Sequence, residues 1–217
     1  MTTLLLAIAM ACNAPIIELP ATAGASDRFA VMLTGDGGWR RVDDRIAAVL
    51  RAEGIPVVGV DVPAYFSTRR TPEESACALE QIIRTYQQRW QKQKVLLIGY
   101  SRGADVLPFM ASRLPDDIRE SVQLIALLGP EPLIDFRFHP WWDLKRYFHH
   151  EQQFPVLPEV EKLPADKVLC VYGDAEKNSL CPQLDRRFTT VSESGGHHFG
   201  GHYDEVARVI LKAILSP

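Results

Sequence analysis

Gly99-Tyr100-Ser101-Arg102-Gly103 follows directly on the apolar run Val95-Leu96-Leu97-Ile98 and directly precedes a segment with helical patterning. A Gly-x-Ser-x-Gly pentapeptide between a strand and a helix is the setting of a nucleophile elbow, in which the serine Oγ projects from a sharp turn into a cleft. The glycines at both ends keep Cβ atoms away from a serine held in a strained backbone conformation. Five residues with three fixed positions recur by chance. The flanking elements, and an acid and a histidine that follow in order, point to a serine hydrolase.

Working outward, apolar β-prone runs alternate with amphipathic helical stretches. Ile16–Leu19, Phe29–Thr34, Val57–Val60, Val95–Ile98, Val122–Leu128, Val168–Tyr172 and Thr189–Ser192 read as strands. Residues 42–53 carry apolar side chains at 42, 46, 47, 49 and 50, a helix with one buried face. The next helix has a strong start, with Thr71 as N-cap, Pro72 at the first helical position and Glu74 closing a capping box. Residues 102–114 form the helix behind the elbow, and a last helix begins near Tyr203. This alternation predicts an α/β chain with a mostly parallel sheet covered on both faces. Residues 131–166 break the rhythm. They hold five of the fifteen prolines together with His139, Trp141, Trp142, His149 and His150, and read as a lid-like excursion over the sheet. No shift in composition calls for a second domain, so 15–217 is read as one.

The 217 residues suit one domain, and 47% hydrophobic with 24% charged residues is ordinary for a soluble globular chain. A net charge of -3 without a long basic tract argues against direct nucleic-acid binding. Residues 1–14 read as a leader. Leu4 to Ala11 form a short apolar stretch ending in Ala-x-Ala, with no basic residues before it, too short to span a bilayer. Cys12 after Ala9-Met10-Ala11 also permits a lipidated form, although the preceding residues fit a lipobox poorly. The competing reading is an ordinary buried N-terminal element. In an exported protein, Cys170 and Cys181 would form a disulfide across a polar loop. The alternative is a pair of unpaired buried thiols.

A serine hydroxyl needs a base to take its proton and a carboxylate to hold that base. In this architecture the order is Ser, acid, His. The acid belongs after a late strand, in Gly173-Asp174-Ala175-Glu176-Lys177-Asn178, where spacing favours Glu176 and leaves Asp174 as the alternative. The base belongs in Gly195-Gly196-His197-His198-Phe199-Gly200-Gly201-His202, with His197 first, His198 next and His202 third. A zinc site from these histidines is disfavoured, because only His198 and His202 have i, i+4 spacing and glycines interrupt the helix it needs. Oxyanion donors are expected at the backbone N–H of Arg102 and in Thr34-Gly35-Asp36-Gly37-Gly38-Trp39, at Asp36 or Gly37. That loop lacks the Walker and dinucleotide spacings. Asp36 and Asp105 are placed to face the cleft and meet a cationic group, though each also suits a turn or a helix N-terminus.

Together, Thr34 to Arg40, Pro56 to Asp61, Gly99 to Pro108, Tyr172-Gly173 with Ser179-Leu180-Cys181, and Gly196 to Phe199 resemble the bacterial virulence protein family VirJ and the matching C-terminal part of AcvB. The resemblance spans nearly everything after the leader. It implies an α/β-hydrolase fold, a periplasmic location and hydrolysis of aminoacylated phosphatidylglycerol, with release of lysine from the headgroup. It also implies a link to type IV secretion. By position, Ser101 is the nucleophile and His197 or His198 the base. Family members often carry an aspartate where this chain has Asn178, which leaves the acid to its neighbours. A lysyl ester carries amines, which gives Asp36 and Asp105 a purpose, with Trp39 of the same loop as a further substrate contact. No metal or organic cofactor is called for. Arg40, Arg41, Arg69, Arg70, Lys145 and Arg146 are candidates for the lipid phosphate.

Overall fold

The computed structural model describes residues 13–139 and 152–215. The leader up to Cys12, and Trp141, Trp142, Lys145, Arg146, His149 and His150 of the excursion, lie outside the described residues.

Seven strands form the main sheet: β1 (Ile16–Leu19), β2 (Arg28–Leu33), β3 (Val57–Val60), β4 (Lys94–Tyr100), β5 (Val122–Leu128), β8 (Val168–Gly173) and β9 (Thr189–Glu193). Their order is β1-β3-β2-β4-β5-β8-β9. All neighbours run parallel except β1, which pairs antiparallel with β3 at the edge. A small antiparallel pair, β6 (Leu133–Ile134) with β7 (Phe154–Pro155), lies apart. The helices are α1 (Arg41–Ala52), α2 (Val62–Tyr65), α3 (Pro72–Trp90), α4 (Arg102–Ala111), α5 (Asp116–Ser121), α6 (Leu157–Val160) and α7 (Tyr203–Leu215).

Period-two alternation divides each central strand between two cores. Phe29, Val31 and Leu33 of β2, with Val95 and Leu97 of β4, face one side and pack with Leu79 and Ile83 of α3 and Leu107 of α4. Ala30, Met32, Leu96 and Ile98 face the other and pack with Ile46 and Leu50 of α1 and Val206 and Ile210 of α7. The α3 start is built as its sequence requires. Thr71 Oγ1 accepts the Glu74 N–H at 3.1 Å, and Glu74 Oε2 accepts the Thr71 N–H at 2.8 Å.

The described flanks of the excursion are anchored to the core beside α4, where Ile134, Phe136, Val156, Val160 and Leu163 are buried. Phe136 packs edge-on against Phe109 and Phe154 at 5.2 and 5.3 Å. Glu159, nearly buried, is held by Ser112 at 2.8 Å, Arg113 at 3.0 Å and Lys162 at 2.7 Å. Aromatic residues spaced for neither helix nor strand gave no periodic signal of this packing. Cys170 and Cys181 form a disulfide, with Cα atoms 5.5 Å apart, and Cys77 is disulfide-bonded as well. Among the described residues no helix is long and apolar enough to cross a membrane.

Candidate active site

Ser101 sits between the end of β4 and the start of α4 with φ 52° and ψ -125°. A non-glycine residue there stores strain of about 1–3 kcal/mol, held in place by its surroundings. Its N–H donates to the Leu128 carbonyl at 2.9 Å, and its own carbonyl accepts the Ala104 N–H at 2.7 Å. The elbow glycines answer to close backbone contact. A Cβ on Gly99 would lie 2.4 Å from the Gly103 carbonyl oxygen, and one on Gly103 would lie 2.3 Å from that of Leu33. Side chains at either position would push α4 off the sheet and swing the serine out of the cleft.

The structure brings Ser101, His197 and Glu176 together. Ser101 Oγ lies 2.8 Å from His197 Nε2, and His197 Nδ1 lies 2.5 Å from Glu176 Oε1. The tautomer that fits carries its proton on Nδ1, donating to the carboxylate and leaving Nε2 free to accept from the serine. The Glu176 hydrogen bond raises the pKa of His197 above its ordinary value, against the opposing pull of burial. Glu176 hangs from the loop after β8, its carboxylate also accepting the Gly173 N–H at 3.4 Å.

The other candidates for these places have different surroundings. Asp174 Oδ1 accepts the Gly195 N–H at 2.9 Å and so braces the histidine loop from below. His198 Nδ1 lies 2.6 Å from Tyr100 Oη. The loop itself turns through left-handed Gly195, Gly200 and Gly201. His202 packs against Gly200, where an added Cβ would meet its ring at 3.0 Å.

The Thr34–Trp39 loop passes directly over the elbow, since a Cβ on Gly35 would lie 3.1 Å from Ser101 Cβ. Arg102 ties the two together. Its guanidinium bonds the Asp36 carboxylate on one side and the Asp135 carbonyl and carboxylate, at 3.1 and 3.2 Å, on the other. As the first residue of α4, Arg102 also presents a backbone N–H that has no acceptor within the helix. Asp36 thus has a protein cation as partner. Asp105 is buried, its Oδ1 accepts the Glu131 N–H at 2.7 Å, and burial raises its pKa well above the carboxylate range. Trp39 departs from its expected place at the substrate. Its indole lies over β3, where a Cβ on Gly59 would come within 2.3 Å of the ring, and its N–H donates to Asp44 at 2.5 Å. Gly59 is the small residue that makes the seat for it.

Several residues of the site were given no role by the sequence. Tyr100 stacks on the His197 ring at 5.5 Å with a 30° tilt. Gly129, left-handed at the end of β5, lies under the same ring, 3.1 Å from where its Cβ would be. Phe199 is wholly buried and anchors the histidine loop. Two clefts open at Ser101. One, of about 260 Å³, is lined by the Gly35–Gly38 turn, Asp43, Tyr100, His197, His198 and Tyr203. The other, of about 210 Å³, is lined by Asp36, Arg102, Asp105, Glu131 and Asp135.

Among solved structures the chain is similar to Est1E from Butyrivibrio proteoclasticus, at 13% identity and a TM-score of 0.60, with 93% of each chain covered. It is likewise similar to XC6422 from Xanthomonas campestris, described as an a/b serine hydrolase without lid. There the identity is 16% and the TM-score 0.58, over 93% of this chain and 94% of that one. MenH from S. aureus aligns at 13% identity and a TM-score of 0.60, over 92% of this chain and 97% of that one. Identities this low carry the α/β-hydrolase fold and nothing finer. No curated protein matches the chain. The family model described as bacterial virulence protein (VirJ) matches residues 27–216, and the chain belongs to that family.

Proposed function

We propose that the chain is an exported serine esterase that hydrolyses the aminoacyl ester of an anionic phospholipid, as in lysyl-phosphatidylglycerol, through an acyl-enzyme. The reading rests on one observation, the continuous hydrogen-bonded line from Ser101 Oγ through His197 to Glu176 at 2.8 and 2.5 Å. Oγ attacks the ester carbonyl as Nε2 takes its proton, and the imidazolium so formed is stabilised by Glu176. The oxyanion is met by the backbone N–H groups of Arg102 and of Asp36, with Gly37 beside it. The imidazolium then gives its proton to the departing glycerol oxygen. Water, deprotonated by His197, attacks the acyl-enzyme and releases the amino acid.

A cationic acyl group is favoured by the acidic residues that line the two clefts at Ser101, Asp43 in one and Asp36, Glu131 and Asp135 around Arg102 in the other. Arg40 and Arg41, both exposed and lining the cleft that holds Asp43, suit the lipid phosphate. The disulfides favour an oxidising compartment, and the periplasm meets that condition. The family's description as a virulence protein favours a second reading, an accessory protein of a type IV secretion apparatus that retains the fold without the chemistry.

A fluorophosphonate probe is expected to label folded wild-type protein at Ser101 and to leave Ser101→Ala unlabelled. The same substitution abolishes release of lysine from lysyl-phosphatidylglycerol vesicles. Absence of a Ser101 adduct in folded protein would sink the catalytic reading, and faster turnover of a plain acyl ester than of the lysyl lipid would make it a general carboxylesterase.

A further inference from the structure

Asp43, the third residue of α1, is wholly buried and lines the 260 Å³ cleft that also holds Ser101 and His197. Its two carboxylate oxygens have different fates. Oδ2 accepts the Arg40 N–H at 2.8 Å and so caps the helix. Oδ1 is sealed from solvent and has no hydrogen-bond partner. Capping needs only one oxygen, which asparagine or serine would supply equally well, so the second, unsatisfied oxygen is not explained by the helix. Leaving a buried carboxylate half-satisfied is costly. Burial pushes the Asp43 carboxyl up to about 7. The carboxylates of the opposite cleft differ in this respect: Asp36 and Asp135 share Arg102, and Asp105 accepts the Glu131 N–H.

We propose that Asp43 is the specificity-determining residue of this esterase, its buried carboxylate supplying the counter-charge for an ammonium group of the substrate seated in the Ser101 cleft. The assignment rests on the esterase reading for its biological meaning, but not for its test. An ammonium in the cleft supplies the counter-charge that Asp43 lacks, and an ionised Asp43 gains most from a ligand that brings it. Tyr100 and Tyr203 wall the same cleft, a setting in which aromatic faces add to the attraction for a cation. Among the charged residues lining the cleft, Arg40, Arg41 and Asp36 are exposed and Asp43 is buried, so the exposed part carries a net positive charge and the buried part a carboxylate. That polarity matches a molecule whose amine enters first and whose anionic group stays at the surface.

Binding is measured in the Ser101→Ala protein, where turnover plays no part, by calorimetric titration with lysine methyl ester and with its Nα,Nε-diacetyl derivative. The charged ester is expected to bind more tightly than the uncharged one. Asp43→Asn, which keeps the capping oxygen, should cut that preference at least tenfold. An unchanged preference, or none in the Asp43-containing protein, overturns the proposal. If Asp43→Asn does not fold, competition decides it: n-butylammonium must displace lysine methyl ester and n-butanol at equal concentration must not. Wild-type hydrolysis is scored separately. A charge preference that depends on Asp43 without turnover would leave the ammonium site standing and remove the esterase.

Discussion

His197 is held between two partners with opposite requirements. Glu176 favours its protonated form and Ser101 needs its neutral form, so the balance between them sets where the site switches on. The raised His197 pKa means that the acid limb of kcat/KM falls above the ordinary histidine value of about 6.5. Glu176→Gln removes the group that raises it and leaves burial, which lowers it. The acid limb should therefore move to lower pH while kcat at pH 8 drops by roughly 10²–10⁴, as expected when the imidazole loses its orienting carboxylate. An unshifted limb would mean that Glu176 does not face the imidazole during turnover. Order and spacing alone preferred Glu176 to Asp174 and His197 to His198, but they left both pairs open. What separates them is the reach of side chains across a turn, and each unsuccessful candidate has a nearby bracing contact instead.

At the scale of elements, the site is a junction of five loops at the C-terminal ends of β2, β4, β5, β8 and β9. Parallel strands with right-handed crossovers bring those ends together, which is why pairs as distant in sequence as Ser101 and His197, or Tyr100 and His198, meet. Arg102 is the clasp between two of the loops, bonded to Asp36 and Asp135 with its guanidinium largely buried. Arg102→Met retains the stem and the backbone N–H but releases the Asp36 loop. It is expected to lower kcat by about 10–100-fold with a smaller change in KM, because an oxyanion donor shifts while the rest of the cleft stays. A change confined to KM would assign Arg102 to substrate binding. The strands, the α3 capping box and the elbow were legible because each is a local pattern in one segment. The Arg102 clasp and the Trp39 seat on Gly59 were not, since they depend on which loops the sheet order makes neighbours.

Across the whole molecule, the Cys170–Cys181 disulfide ties the last third of the chain to itself around the loop that carries Glu176. Closing a loop of this length contributes about 2–4 kcal/mol. The double substitution Cys170→Ala and Cys181→Ala should lower the urea unfolding free energy by that amount, and reduction of the wild-type protein, which also breaks the Cys77 disulfide, should lower it at least as much. Equal stability of the doubly substituted and wild-type proteins would show that the packing of β8 alone holds this region. The sequence by itself determined the alternation of strands and helices, the serine elbow between β4 and α4, and the order in which the acid and histidine segments follow it. Those are carried by periodicity, glycine placement and chain direction, which are properties of contiguous residues. Only the tertiary structure decided which acid and which histidine meet Ser101, that Trp39 turns away from the cleft, and that Asp43 is buried beside it with one oxygen unpaired. Those depend on the distances between segments brought together by the sheet, and on how much water the surrounding side chains exclude.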